Sequence, residues 1–442
     1  MSARRIVITG VGAASPLATS ADEHWRLLCE GKEGVRRLAS FDPGGFPSHI
    51  GGEAPQFKIN QLVPKTYRKA TKVMARDIEL AVVAADDAVK NSGLITRAVN
   101  PDTPKVDPAR LSVNIGAGLI PCEMTEMGQA IRHALDGQGR FDIRKWGLVG
   151  LDNLTPLWLL KYLPNMPSCH VGIIHDAQGP SNAITCAEVS GLLALGESWR
   201  MLAENRADVA FAGGAESKTN PMGLLRPCQL ELVTIRSNAR PKKAVRPFDQ
   251  DRAGTAVAEG AGILVLEELK HAQKRGAKIL AELFGFGAAN DPTPAPQRSR
   301  QGRGMQLAIE AALREAGLKP IEVNVLIALG LGHGELDLSE AQGIRAAFRG
   351  FPVPVLGLRG QMGNMGAGSG ALDLVAAVKM LEQQKSPYTV NCESPCPDCG
   401  LNIVSREKKP KQLENAMVVG YSLAGQYAAV VLIRWQKNHL TH

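Results

Sequence analysis

Residues 245–269, VRPFDQDRAGTAVAEGAGILVLEEL, end in an apolar run that is typical of a buried β-strand. A strand this uniformly apolar has both faces covered, as in layered α/β folds. Further segments of the same character are RIVITGVG (5–12), LSVNIGAG (111–118), ADVAFAGGAE (207–216), NVLIALGLG (324–332), NAMVVGYSLAG (415–425) and YAAVVLIRW (427–435). The chain is therefore predicted to be an α/β protein.

Amphipathic helices are predicted between these strands. In SADEHWRLLCEGKEG, residues 20–34, Ser20 is placed to cap a helix that Gly31 ends. Residues 303–320, RGMQLAIEAALREAGLKP, have apolar side chains at helical spacing and reach a glycine at Gly317.

Loops rich in proline and aspartate are predicted at residues 97–110 and 290–304, and the second lies near the start of a C-terminal half. The order of elements favours two strand-and-helix halves, residues 1–275 and 276–442, in one compact unit.

Composition excludes several classes of protein. The 442 residues include 44% hydrophobic ones, but no window approaches the roughly 18 uninterrupted apolar residues of a membrane span. The first apolar run is too short for a signal peptide, so a cytoplasmic protein is expected. The net charge of +8 favours anionic partners. No motif for nucleic-acid binding accompanies that charge, which makes a small acidic carrier protein the better candidate.

A basic segment offers a surface for such a carrier. In residues 64–89, PKTYRKATKVMARDIELAVVAADDAV, cations recur at helical spacing and are predicted to gather on one side of a helix. They are Lys65, Arg68, Lys69, Lys72 and Arg76. A solvated helix face without a partner explains the same pattern equally well.

Cysteines are densest in CESPCPDCG, residues 392–400. Cys392, Cys396 and Cys399 supply three thiols, but no fourth zinc ligand at suitable spacing is evident. A proline-rich surface loop is therefore predicted there, and we expect neither a metal nor a cofactor.

Several motifs resemble the β-ketoacyl-acyl-carrier-protein synthases. Residues 245–269 resemble the RPFD and EGAG block of that family, and residues 207–217 resemble its GGAE turn. VITGVGAASPLATSADEHWRLLCEGKEGV (7–35) is similar to the family's opening, and LPNMPSCHVGIIHDAQGPSNAIT (163–185) to its approach to the active-site cysteine. The resemblance implies a thiolase-like fold of five layers, αβαβα, from two duplicated halves, and a dimer.

The family's reaction is a condensation in which a cysteine at a helix N-terminus takes an acyl chain and two histidines stabilise an enolate. In GPSNAITCAEVSG, residues 179–191, the position equivalent to that cysteine is Glu188, and Cys186 comes two residues early. The histidine positions are Leu329 and Asn364. The resemblance therefore implies that all three reactive side chains have been replaced.

Other positions of the family's site also differ. Arg359 stands at the family's lysine, and Leu423 and Ala424 stand at the phenylalanine and a glycine of its gating loop. His333 follows Leu329 by four residues, and an ordinary loop histidine explains it better than a catalytic one.

Three functions remain open, and whether the chain is an enzyme is left uncertain. In the first, the chain is a silent ketosynthase homologue that pairs with an active ketosynthase, in the manner of chain-length factors in polyketide synthesis. Those factors commonly carry glutamine where this chain has Glu188. In the second, Glu188 and Asn364 act as base and hydrogen-bond donor in decarboxylation or thioester hydrolysis. In the third, a homodimer binds an acyl chain or acyl carrier protein as a scaffold.

Overall fold

The computed structural model describes residues 4–293 and 301–436. Part of the loop predicted at 290–304 lies outside the described residues. The strands in the described ranges are β1 (Ile6–Ala14), β2 (Val35–Arg37), β3 (Ile50–Gly52), β4 (Leu111–Ala117), β5 (Asn182–Ile184), β6 (Val209–Ser217), β7 (Val257–Glu268), β8 (Ala281–Asn290), β9 (Val325–Ala328), β10 (Pro354–Gly357), β11 (Asn402–Ile403), β12 (Asn415–Tyr421) and β13 (Gln426–Arg434).

The order of the main sheet repeats itself. Its strands follow the order β11-β10-β9-β12-β13-β8-β1-β7-β6-β4-β5. The strand order can be followed outward from the β8–β1 contact in both directions, one half of the chain on each side. In each half, the first strand of that half comes first, the last strand of that half comes second, and strands that pair in parallel complete the edge. The N-terminal half thus gives β1-β7-β6-β4-β5, and the C-terminal half gives β8-β13-β12-β9-β10 followed by the short strand β11. This repetition is the topology of a duplicated fold.

The helices form three layers around the two half-sheets. They are α1 (Ala21–Glu30), α2 (Ile59–Leu62), α3 (Arg76–Ser92), α4 (Met124–His133), α5 (Ile143–Lys145), α6 (Met166–His175), α7 (Ser190–Ala203), α8 (Pro221–Gln229), α9 (Leu269–Lys274), α10 (Arg303–Ala316), α11 (Gly334–Ala347), α12 (Arg359–Met362) and α13 (Gly368–Gln383). Helix α3 packs on β1, β6 and β7, and α10 packs on β8 and β13. Between the half-sheets lie α7 and α13, which touch strands of both. The result is the five-layered αβαβα fold.

In each half of the chain, one glycine lets the half-sheet and its outer helix approach closely. A Cβ at Gly12 of β1 would lie 2.0 Å from the backbone oxygen of Ala84 in α3. A Cβ at Gly287 of β8 would lie 2.1 Å from the backbone oxygen of Ala308 in α10. The two halves thus use the same close approach of strand to helix, which only glycine permits.

The predicted strands are all present, and their uniform burial confirms the layered interpretation. Strand β8, AELFGFGAAN, was not predicted, because its glycines and charged residue interrupt the apolar run. Helix α1 ends at Gly31 as expected, in the left-handed conformation, but the Ser20 side chain makes no capping hydrogen bond. The proposed division between residues 275 and 276 falls in the connection from α9 to β8.

No helix in the described ranges is long and apolar enough to span a lipid bilayer.

Candidate functional site

The elbow quoted above is a strand, a tight turn and a helix. Strand β5 leads through a 3-10 helix, Ala187–Val189, into α7. Ala187 has a φ of +50°, an uncommon conformation for a residue with a side chain. The Ser190 hydroxyl accepts the Cys186 N–H at 2.7 Å and donates to the Ala187 carbonyl oxygen at 2.7 Å. The turn before α7 is therefore held by two hydrogen bonds of the Ser190 hydroxyl.

Glu188 lies at the centre of this elbow, and its carboxylate accepts hydrogen bonds from two other side chains. The residue is 6% exposed. Its Oε1 accepts hydrogen bonds from Lys218 Nζ at 2.8 Å and from Asn364 Nδ2 at 3.0 Å. Two of the positions predicted from the sequence, Glu188 and Asn364, are thus brought into direct contact.

Sequence analysis missed Lys218 and Glu216, which complete this cluster. Lys218 Nζ lies 3.9 Å from Glu216 Oε1, and Glu216 Oε2 accepts the Ala367 N–H at 2.7 Å. A signal was present, because residues two apart along a strand face the same side and β6 ends between these two. We call Glu188, Lys218, Glu216 and Asn364 the elbow cluster.

The charged groups of the elbow cluster shift one another's pKa values. Burial alone raises the pKa of Glu188, but the Lys218 ammonium and the Asn364 amide outweigh it and hold that pKa below its ordinary value. Burial would lower the pKa of Lys218, yet Glu188 and Glu216 hold it above its ordinary value. Burial raises the pKa of Glu216. Glu188 is therefore a carboxylate paired with an ammonium, and this pairing works against its action as a base near neutral pH.

The orientation of Asn364 is fixed by its other contacts. Its Oδ1 accepts the Gly366 N–H at 3.0 Å and the Ser369 hydroxyl at 3.3 Å. The amide nitrogen consequently faces Glu188 as a donor. Asn364 therefore ties the elbow to the segment that leads into α13.

A cavity of about 390 Å³ opens over the elbow cluster. Its walls are mostly apolar, and the four side chains of the elbow cluster are among the residues that line it. Such a lining suits a ligand with an apolar body and a few polar atoms.

The two candidates for the first histidine lie in different surroundings. Leu329 is 1% exposed and packs in the core around Phe248, and its N–H donates to Glu340 Oε1 at 2.8 Å. His333 lines the cavity at the N-terminal cap of α11. Its Nδ1 is buried and has no hydrogen-bond partner in the described parts of the chain. Leu329 thus offers no donor to the cavity, whereas His333, in the loop before α11, is one of the residues that line it.

The two residues at the predicted gating-loop positions lie at the cavity. Leu423 and Ala424 both belong to its wall. The left-handed backbone of this loop lies at Gly425, with a φ of +98°, and Ala424 is not among the described residues with positive φ. The alanine is therefore accommodated without backbone strain.

Arg359 and Cys186 are not among the residues that line the cavity. Arg359 is fully buried and paired with Asp373. Cys186 is half-buried against the central hydrophobic core, and burial raises its pKa. Neither is a lining residue, so the turn does not present Cys186 as a nucleophile.

The basic segment is not one continuous helix. Residues Lys65–Val73 form a 3-10 helix, and α3 starts after a break. Lys65, Arg68, Lys69 and Lys72 are exposed on the first part, and we call these four the basic patch. Arg76 departs from the prediction, because its guanidinium pairs with Glu259 at 2.8 Å in the protein interior.

No set of three or more His, Cys, Asp or Glu side chains within residues 4–293 and 301–436 is arranged to hold a metal ion. The cysteine segment differs from the predicted surface loop, because Cys396 and Cys399 are buried in the core of the C-terminal half.

Replacing Lys218 by methionine should destabilise the fold by about 3–5 kcal/mol, since Glu188 would remain as an uncompensated buried charge. Lys90→Met is the matched control, because Lys90 also pairs with a carboxylate at 2.6 Å but is 66% exposed. Its expected cost is below about 0.5 kcal/mol. Denaturant unfolding at neutral pH measures the loss of stability in both variants. Equal losses would contradict the assignment of Lys218 and Glu188 as a buried ion pair.

The pH dependence follows from the lowered pKa of Glu188. Its ion pair stabilises the fold above the ordinary value of 4.5, and this contribution is lost as the pH falls through the lower folded value. The stability difference between the wild type and Glu188→Gln should therefore be constant near neutrality and shrink only in acid.

Comparison with known proteins gives consistent matches over nearly the whole chain. The family models for the beta-ketoacyl synthase N-terminal and C-terminal domains match residues 3–272 and 280–393. The chain is 31% identical to 3-oxoacyl-[acyl-carrier-protein] synthase 2 of Vibrio cholerae, over 98% of this chain and 100% of that one.

Solved structures of similar fold include a ketosynthase in complex with its type II PKS acyl-carrier protein and bound to the hexaketide, with a TM-score of 0.83, 25% identity, and coverage of 98% of this chain and 100% of that one. The ishigamide ketosynthase/chain length factor gives a TM-score of 0.84 at 24% identity, with the same coverage, and supports the fold alone. The duplicated sheet and these matches agree, and the chain belongs to the β-ketoacyl synthase family.

Proposed function

We propose that this chain is a ketosynthase-family subunit of fatty-acid or polyketide synthesis that does not itself catalyse condensation. The observation that carries the proposal is the contact of Glu188 with Lys218 at 2.8 Å, at the position where the family has its cysteine. A carboxylate whose charge is stabilised by an ammonium and an amide is a weak nucleophile, and it cannot form the thioester that a cysteine forms with an acyl group.

Transition-state stabilisation is weakened as well. Leu329 replaces an imidazole donor by a hydrocarbon, and the amide donor of Asn364 is already directed at Glu188. One donor to a developing oxyanion is worth about 3 kcal/mol, so these replacements would lower any condensation rate by orders of magnitude.

The proposed role is that of a partner subunit similar to a chain-length factor. Exposed apolar side chains concentrate on one segment of the N-terminal half, which is typical of protein interfaces. They are Leu119, Met124, Phe141, Ile143, Leu148, Val149, Leu151, Leu157 and Leu159. Native mass measurement after co-expression with a cysteine-bearing ketosynthase distinguishes a heterodimer from a homodimeric scaffold, and a homodimer alone would contradict the partner role.

The alternative in which Glu188 acts as a general base is less well supported. An efficient base at neutral pH has a pKa near 7, whereas the ion pair with Lys218 lowers that of Glu188. Activity on malonyl or acyl carriers that is lost in Glu188→Gln would restore this alternative.

The wild-type chain should not take an acyl group from acyl carrier protein, and intact-mass measurement after incubation tests this. Glu188→Cys is the matched control, because it places a thiol in the same elbow beside Lys218, whose charge favours the thiolate. We expect an acyl adduct on the variant and an unchanged mass for the wild type. A stable acyl adduct on the wild type would disprove the silent assignment.

We further propose the basic patch as the surface that binds the acidic carrier. Reversing its four charges to glutamate should weaken carrier binding by about tenfold or more at low salt. The matched control reverses four exposed lysines elsewhere, Lys270, Lys274, Lys408 and Lys411, which gives the same change of net charge. Isothermal titration calorimetry measures the carrier affinity of both variants. Equal losses of affinity would show that the net charge, and not the position of the basic patch, determines binding.

A further inference from the structure

Arginines concentrate on a surface of the N-terminal half that includes neither the elbow nor the basic patch. Two stretches supply them, GVRRLASF at residues 34–41 and LVTIRSNARPKKAVRPF at residues 232–248, and neither stretch contains an acidic residue. Five of their exposed cations form no ion pair within residues 4–293 and 301–436. We call these five the arginine surface: Arg36, Arg37, Arg236, Arg240 and Lys242.

The fold brings the two stretches together. Strand β2 packs beside the 3-10 helix Pro241–Lys243. Asn238 ties the second stretch to the connection between β2 and β3, because its Oδ1 accepts the His49 N–H at 2.8 Å and its Nδ2 donates to the Pro47 carbonyl oxygen at 3.0 Å. One buried apolar cluster holds both stretches, and it consists of Val35, Ile50, Ala244, Val245 and Ala256. The five cations therefore share one region of the surface.

A carboxylate that borders this region is paired with other cations. Glu393 Oε1 accepts a hydrogen bond from Lys243 Nζ at 2.6 Å, and Glu393 Oε2 lies 3.3 Å from Arg246. Lys243 and Arg246 are for that reason not counted in the arginine surface. Four of its five members are arginines, and a guanidinium can bind phosphate oxygens through two parallel N–H donors. The composition therefore favours a partner that presents many phosphates.

Exposed aliphatic side chains accompany these charges. The Thr234 N–H donates to the Thr255 carbonyl oxygen at 2.8 Å, which fixes the chain next to β7. Ile235 follows directly and is 58% exposed, beside Arg236. Leu230, on the same segment, is 62% exposed and lines the cavity. Cations beside exposed aliphatic side chains favour a phospholipid layer over a purely polar polyanion, because the aliphatic groups can enter the layer below the phosphates.

We propose that the arginine surface binds a membrane surface that is rich in anionic phospholipids. The lipid phosphates accept hydrogen bonds from the guanidinium groups, while Ile235 and Leu230 enter the headgroup region. Such peripheral binding needs no membrane-spanning helix, and it brings the cavity wall at Leu230 to the lipid. The inference does not involve the chemistry of Glu188, so its failure would leave the proposed function untouched.

Co-sedimentation of the full-length protein with lipid vesicles tests the proposal. One set of vesicles contains phosphatidylcholine alone, and the other contains phosphatidylglycerol in addition. We expect binding to the second set only, at low ionic strength, and release from it as added salt screens the charges. Equal binding to both sets, or binding to neither, overturns the proposal. This comparison uses the wild-type protein and does not depend on how any variant folds.

Charge reversal locates the binding surface. The first variant combines Arg37→Glu, Arg236→Glu, Arg240→Glu and Lys242→Glu. It should lower the apparent affinity for the anionic vesicles by about tenfold or more. Arg36 is kept, because its Nε donates to the Gly34 carbonyl oxygen. The matched control gives the same change of net charge at four other exposed lysines, Lys270, Lys274, Lys408 and Lys411. Equal losses of affinity in the two variants overturn the assignment of the surface.

An acidic protein is the competing partner, and the same variants distinguish it from a membrane. Ile235→Ser keeps every charge and should weaken vesicle binding, since the aliphatic group no longer enters the lipid. The lipid assignment is wrong if the charge reversal abolishes binding of acyl carrier protein while the wild type does not bind anionic vesicles.

Discussion

The buried contact between Lys218 Nζ and Glu188 Oε1 organises the interior of this protein. Burying either charge alone is costly, and each is retained because the other lies 2.8 Å away. The contact joins the end of β6 to the elbow before α7, and Asn364 adds the segment before α13 to the same carboxylate. Three chain segments that are distant in sequence thus meet at one ion pair.

Close packing around the pair leaves little freedom for another arrangement. Gly214 of β6 lies so near Ala367 that a Cβ there would be 2.1 Å from the Ala367 oxygen. Glu216 accepts the Ala367 N–H, and Gly366, with a φ of +52°, leaves the space that the Glu216 carboxylate fills. The central helices and the elbow are therefore fixed together.

Much of this arrangement was predictable from the sequence. The apolar strands gave the layers, and the family's spacing placed Glu188 and Asn364 in one site, where the structure brings them into contact. Strand β8 was missed because glycines that serve packing against α10 also break the apolar pattern. Lys218 was missed because a lysine directly after a strand has the pattern of a solvent-exposed residue, and only the tertiary fold encloses it between two carboxylates. The burial of Cys396 and Cys399 is likewise a tertiary effect, since a proline-rich loop gives no sign that it folds onto a core.

In the proposed function, Glu188 is an ion-paired carboxylate and not a base whose pKa lies near neutral pH. Infrared difference spectroscopy between the wild type and Glu188→Gln, recorded from neutral pH into acid, measures the protonation of this side chain directly. We expect a carboxylate band at neutral pH. A protonated-carboxyl band should appear only when the pH falls below 4.5, the ordinary pKa of a glutamate side chain. A protonated-carboxyl band that titrates near neutrality would contradict this expectation.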